Sequence, residues 1–140
     1  MNLKVSLVLL FIVVSSFSFQ SEDKIYYELD KTISDKIFSI INSEQRFTDI
    51  ANSKFYLTFH YSDEEKVQYI TVDFCIKCAY KKLINKTNRF VKINSQDYPI
   101  LFYEDLLYAK KYIALPKQVG GGTRLKINSK NEIIEVLSLQ

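Results

Sequence analysis

Apolar positions recur at steps of three and four through Tyr26, Leu29, Ile33, Ile37 and Ile40, with Asp30, Lys31, Asp35 and Lys36 off that stripe. The period predicts an amphipathic helix over about 22–41, ended at Asn42-Ser43. The rhythm then changes to two. Phe55, Leu57, Phe59 and Tyr61 alternate with Tyr56, Thr58 and His60, which predicts a strand. The polar run Ser62-Asp63-Glu64-Glu65 turns the chain into a second strand over about 66–74, with Ile70, Val72 and Phe74 on one face. The two strands form a hairpin.

From Cys75 the helical period returns. Ile76, Tyr80, Leu83 and Ile84 share a face, and the helix is expected to end near Asn88. Tyr98 to Tyr103 reads as a strand, with Pro99 suited to its start or to an edge position rather than a central ladder. Leu106 to Leu115 fits a helix capped by Asp105 or, nearly as well, a strand, and Pro116 closes it. Gly120-Gly121-Gly122 holds every glycine of the chain and marks a turn or hinge. Residues 123–127 and 132–139 read as a last hairpin around Asn128-Ser129-Lys130-Asn131. This order predicts an α+β fold: a mainly antiparallel sheet of about five strands (two hairpins plus one strand) packed against two or three helices.

The start of the chain follows neither rhythm. Lys4 is followed by an apolar run from Val5 to Val14 and a Ser/Phe stretch to Phe19, and charge returns only at Glu22 and Asp23. A short basic start, a brief apolar centre and small residues describe a secretory signal peptide over residues 1–18, with Ser16 and Ser18 before a cut near Phe19. The apolar run is shorter than the roughly 20 residues that span a bilayer, so no stable membrane span is expected after cleavage, although retention as an anchor stays an alternative. Residues 19–140 are then expected to form one domain, exported to the periplasm, the cell envelope or the medium.

Charge narrows the classes of partner. Only Lys4 of the 19 Lys and Arg precedes residue 19, and none of the 16 Asp and Glu does, which leaves 18 against 16 in the remainder. A balance this slight, with basic clusters no longer than the pairs Lys81-Lys82 and Lys110-Lys111, argues against nucleic acid. Ten Tyr and ten Phe with only three Gly and two Pro indicate a well-packed folded chain. Tyrosine combines apolar area with a polar tip, which suits a binding face and equally a half-buried sheet face.

The chain's two cysteines, Cys75 and Cys78, stand at the expected junction of strand and helix, with Lys77 between them. Helix N-termini and nearby cations lower thiol pKa values, so a thiolate is favoured there. The stretch "VDFCIKC" resembles the strand–CxxC–helix step of the thioredoxin family, and "YPILFYED" resembles the segment in which a proline opens a strand facing the cysteines. That resemblance implies an attacking Cys75, a resolving Cys78 and a cis Pro99. The plainer reading is a local disulfide between Cys75 and Cys78, or two buried thiols. As a staple such a pair contributes only roughly 2 kcal/mol of loop-closure stabilisation. A zinc site drawing on Cys75, Cys78 and His60 lacks a fourth ligand of the usual kind, and no metal or other cofactor is expected.

His60, the only histidine, lies off the apolar face of its strand, and no motif ties it to a nucleophile. Asp63, Glu64 and Glu65 lack the spaced oxygens and glycine of a calcium loop. The glycine run lacks the Lys-Ser/Thr of a phosphate loop. Asn85-Lys86-Thr87 matches a glycosylation sequon, relevant in a eukaryotic source. The expected function is therefore that of a small exported non-enzymatic module binding an unknown protein or envelope partner. A thiol–disulfide protein using Cys75 and Cys78 is the alternative, and an inhibitor or immunity-type protein fits the same fold. The helix–hairpin–helix–strand order is similar to that of small envelope modules such as the C-terminal domain of TonB, a likeness that carries no motif.

Overall fold

The structure is a computed structural model, and it describes residues 23–48, 54–75, 80–112 and 122–139. Residues 1–18, expected to be a signal peptide, together with Cys78 and the first two glycines of the GGG run, lie outside the described residues. In chain order the described elements are β1 (Ile25–Tyr26), α1 (Lys31–Thr48), β2 (Lys54–Ser62), β3 (Val67–Cys75), α2 (Lys81–Lys86), β4 (Arg89–Ile93), β5 (Gln96–Phe102), α3 (Tyr103–Tyr112), β6 (Thr123–Ile127) and β7 (Ile133–Ser138).

The strands form one mixed sheet of seven in the order β1-β4-β5-β2-β3-β6-β7. β1 runs parallel to β4, and β5 runs parallel to β2. The other four pairings are antiparallel. This overturns the expectation of a mainly antiparallel sheet of about five strands. The two added strands have local causes. β4 joins β5 through Asn94-Ser95, both at positive φ (50° and 67°), the conformation of a two-residue type I′ hairpin. Asn-Ser is a weaker signal for that turn than Asn-Gly, and β4 itself is only five residues long. β1 exists because Tyr26 leaves the helical stripe it was assigned to. The helix starts later, where the Asp30 carboxylate accepts from the Thr32 N–H at 3.2 Å and caps α1.

The remaining corrections are of boundary and position. α1 continues past Asn42-Ser43 to Thr48. β3 retains Cys75, and α2 is the short segment Lys81–Lys86 rather than a helix from Cys75 to Asn88. The described part of the ambiguous segment, as far as Tyr112, is helical, in a helix that begins at Tyr103 with Glu104 and Asp105 in its first turn, where carboxylates complement the helix dipole. Pro99 lies inside β5, between β4 and β2, not at a start or edge. A proline is tolerated there because the ladder to β2 begins one residue later, at Leu57↔Ile100, so the missing N–H breaks no bond of it.

The sheet is covered on both faces. α1 lays Ile33, Ile37 and Ile41 on Leu57, Phe59, Ile70, Val72, Val91, Ile100, Leu125 and Ile127 to form the main core. A smaller cluster on the other face joins Tyr56 and Leu101 to Ile84 of α2 and Leu106 of α3, with Cys75, Tyr80 and Leu83 packed against it. β2 is therefore buried from both sides, Leu57 toward α1 and Tyr56 away from it. The small cluster reaches the sheet through β2, β3 and β5 only, and that limit leaves the candidate site beyond it.

Candidate functional site

The site is built from side chains that alternate with the core residues of β2, β3 and β6. Leu125 and Ile127 point into the α1 core, so Arg124 and Lys126 stand on the opposite face. Register sets the rows. His60 faces Tyr69, Tyr69 faces Lys126, and Lys126 faces Glu135; one step along, Thr58 faces Thr71, Thr71 faces Arg124, and Arg124 faces Leu137. Neighbouring strands lie about 4.8 Å apart, so each row is a line of touching side chains.

The contacts within these rows are specific. The imidazole of His60 lies nearly parallel to the Tyr69 ring (10°, centroids 6.1 Å apart) and 4.4 Å from the ring of Tyr103, the first residue of α3. The Nδ1 of His60 is buried and has no hydrogen-bond partner among the described residues. The Arg124 guanidinium lies 4.8 Å from the centroid of Tyr69, and the Lys126 ammonium lies 6.0 Å from it. The Tyr69 hydroxyl donates to the Glu65 carboxylate. That bond raises the Tyr69 pKa, with desolvation and the Glu65 charge adding to the rise and Lys126 and Arg124 opposing it. Glu65 stands 4.0 Å from Lys126, at the limit of an ion pair. Arg124 has no ion pair among the described residues. A guanidinium stacked on an aromatic ring has its plane fixed and its in-plane N–H fork free for a carboxylate or phosphate.

A second polar group ties the opposite edge together. Asp97 accepts from the Tyr26 hydroxyl at 2.8 Å and from Lys24 at 3.2 Å, and lies 3.4 Å from Lys92. Burial raises its carboxyl, but the contacts to Tyr26, Lys24 and Lys92 together outweigh burial and hold it below the usual range. Asp73, near the far end of the open rows, is displaced the other way. Burial raises it and Glu44 adds to the rise, against the Phe74 N–H that donates to it at 2.8 Å.

The sequence candidates do not converge. Cys75 ends β3, half-buried beside Tyr80 and Leu83, and is not a free thiol. Pro99 pairs with Phe90 on β5, and β2 separates β5 from β3. Two strand spacings put Pro99 about 10 Å from the strand of Cys75, so the facing arrangement of cysteine and proline implied by the thioredoxin resemblance is not formed. The Tyr98–Pro99 peptide is trans. His60 pairs at the level of Tyr69, six residues from Cys75 along β3, or about 20 Å, so the two do not share a metal site. Among the described residues no group of three His, Cys, Asp or Glu is placed to hold a metal ion, and no helix is long and apolar enough to cross a membrane. Asp63 and Glu64 are solvated residues of the β2–β3 turn. Asn85 of the sequon is exposed on α2, while the Thr87 hydroxyl donates to the Ile100 carbonyl at 3.0 Å.

Sequence reasoning missed Tyr69, Arg124 and Lys126 as a group. Alternation of Arg124 and Lys126 with Leu125 and Ile127 was the available signal, but their approach to Tyr69 depends on β3–β6 pairing across some fifty intervening residues. No family model, curated protein or solved structure matches the chain.

Proposed function

We propose that the chain is an exported, non-enzymatic binding module that receives an acidic group of a protein partner at Arg124 and Lys126, on the sheet face opposite α1. One observation carries the reading: the guanidinium of Arg124 rests on Tyr69 with no carboxylate paired to it among the described residues. Lys126, two residues on, stands 4.0 Å from Glu65 and faces Glu135 across the β6–β7 ladder. The ladder Tyr103–His60–Tyr69 stiffens the platform beneath them. Tyr69, Arg124 and Lys126 are half-buried side chains set side by side on neighbouring strands, an extended array that suits a macromolecular surface.

The test is a titration of isotope-labelled protein with a short polyglutamate peptide, read by NMR. Shifts confined to Tyr69, Thr71, Arg124 and Lys126, with at least about tenfold weaker binding in Arg124→Gln, support the proposal, because a hydrogen bond to a charged group contributes about 1.5–3 kcal/mol. Shifts that are absent, scattered, or indifferent to Arg124→Gln refute it. Export is tested by the intact mass of protein from its native host, where a cut near Phe19 is expected and an intact N-terminus counts against it.

A second reading, thiol–disulfide exchange at Cys75 and Cys78, rests on their CxxC spacing at the end of β3; that Cys75 is not a free thiol fits this reading and an inert staple alike. A Cys75–Cys78 bond with a reduction potential between roughly −270 and −120 mV favours this reading, and one below about −300 mV favours an inert staple.

A further inference from the structure

The two edges of the sheet are unlike. β1 is two residues long, and the Lys24, Lys92 and Asp97 cluster surrounds it. Short strands and local charge are how proteins blunt an edge. β7 is six residues long, contains no proline and no lysine, and carries one charge, Glu135. Ile134, Val136 and Leu137 are 52%, 46% and 39% exposed. Among the described residues β7 pairs only with β6, on one side. The bulge between Lys126 and Ile127 affects only its first turn of ladder, and from Glu135 to Ser138 the register is regular. A regular apolar edge of this kind is a template for another strand.

We propose that β7 pairs antiparallel with β7 of a second copy of this chain, in a register centred on Val136. Both exposed faces of the strand and its charge point to a second copy as the occupant. Antiparallel pairing about a two-fold axis normal to the sheet keeps like faces together, so only registers centred on a residue are allowed. Centring on Glu135 sets two carboxylates directly opposite, which is destabilising. Centring on Val136 sets Val136 against Val136, Glu135 against Leu137 and Ile134 against Ser138. On the face opposite α1, the row then reads Tyr69, Lys126, Glu135, and across the seam Leu137, Arg124, Thr71 of the other copy. The acidic centre is flanked on each side by the basic pair of β6, and no like charges face each other across the seam. Pairing joins the two sheets into one of fourteen strands. A seam of one strand pair falls at the small end of protein interfaces, so a weak, reversible dimer is expected.

Sedimentation velocity from about 5 to 500 μM tests this on the full chain as its host processes it. A reversible monomer–dimer transition is expected, and Val136→Lys, which opposes two ammonium groups, abolishes it. Val136 is half-exposed, so the lysine variant keeps its fold, with unchanged circular dichroism as the control. Register is read separately. Under mild oxidation Val136→Cys forms a covalent dimer, and Ile134→Cys, which faces Ser138, does so far less. A monomer throughout the range, a dimer indifferent to Val136→Lys, or equal cross-linking by both cysteine variants overturns the proposal. None of these outcomes depends on the acidic-ligand reading, which NMR tests in the monomer.

Discussion

Truncating Leu57 to alanine asks whether the sheet is sealed on both faces. Leu57 is 0% exposed at the middle of the sheet, paired to Val72 on one side and Ile100 on the other, with α1 above it. Leu57→Ala removes three carbons, about 2.4 kcal/mol of transfer free energy at 0.8 per methylene. A cavity adds to this, because backbone pairing on two sides prevents β2 from sinking into the space. Buried leucine truncations span about 2.7–5 kcal/mol, and the rigid setting places this one at about 3–4. For a domain near 120 residues the unfolding entropy is about 0.25 kcal/mol per degree, so the melting temperature is expected to fall by about 14 °C. Urea denaturation with unchanged m-value measures the free energy directly. Tyr61→Ala is the internal control, on the same strand and parity but 47% exposed. It is expected to cost below about 1 kcal/mol. If Leu57→Ala costs no more than Tyr61→Ala, β2 is not the buried centre and the topology described is wrong.

Three further outcomes follow from the same geometry. Gly122 sits at φ +94°, and an added Cβ lies 2.7 Å from the Val72 carbonyl oxygen, so Gly122→Ala is expected to cost about 2–3 kcal/mol by chemical denaturation. Because the Gly122 carbonyl accepts from the Leu139 N–H at 2.9 Å, hydrogen exchange in β7 accelerates in the same variant. Burial and Glu44 raise Asp73, so its folded pKa lies above the unfolded one, and its contribution is full at acid pH and lost as pH rises through the folded value. Asp73→Asn, whose carbonyl still accepts from Phe74, is therefore expected to melt higher than wild type at pH 7 and level with it at pH 3. Asp97 is opposite in sign: its contacts stabilise above the unfolded carboxylate pKa near 3.9 and fade as pH falls through the lower folded value. Asp97→Asn flattens the acid limb of the stability curve and costs about 1 kcal/mol at pH 7.

Local chemistry was legible where a residue's own neighbours decide its structure. The β2–β3 hairpin follows from alternation around a polar turn, in which Lys66, at φ +59°, donates to the Ser62 carbonyl. The last hairpin is closed by the Asn128 side chain, which accepts from the Lys130 and Glu132 N–H groups. What sequence concealed was lateral order. Nothing around Phe102 states that its strand lies beside β2 and runs in the same direction, because that choice is fixed by α2 and β4 carrying the chain across the sheet. Tyr26 was misread because a tyrosine spaced three from Leu29 satisfies a helical stripe, while the Asp30 cap that excludes it is a single side chain. The same gap hid the face formed by Tyr69, Arg124 and Lys126. Its members are ordinary on their own strands and acquire meaning only through pairing.

The parallel seam between β2 and β5 has a consequence for how the chain reaches this state. Leu57–Phe59 meet Ile100–Phe102 over three residue pairs, and more than forty positions intervene. When the chain is delivered from its N-terminus, the β2–β3 hairpin must wait with both flanks bare, that of β2 until residues 100–102 have emerged and that of β3 until residues 123–127 have. Closing so long a loop is entropically slow. The interval before it closes is when a chaperone has most reason to bind, and the hydrophobic flank of β2 is the surface it would hold.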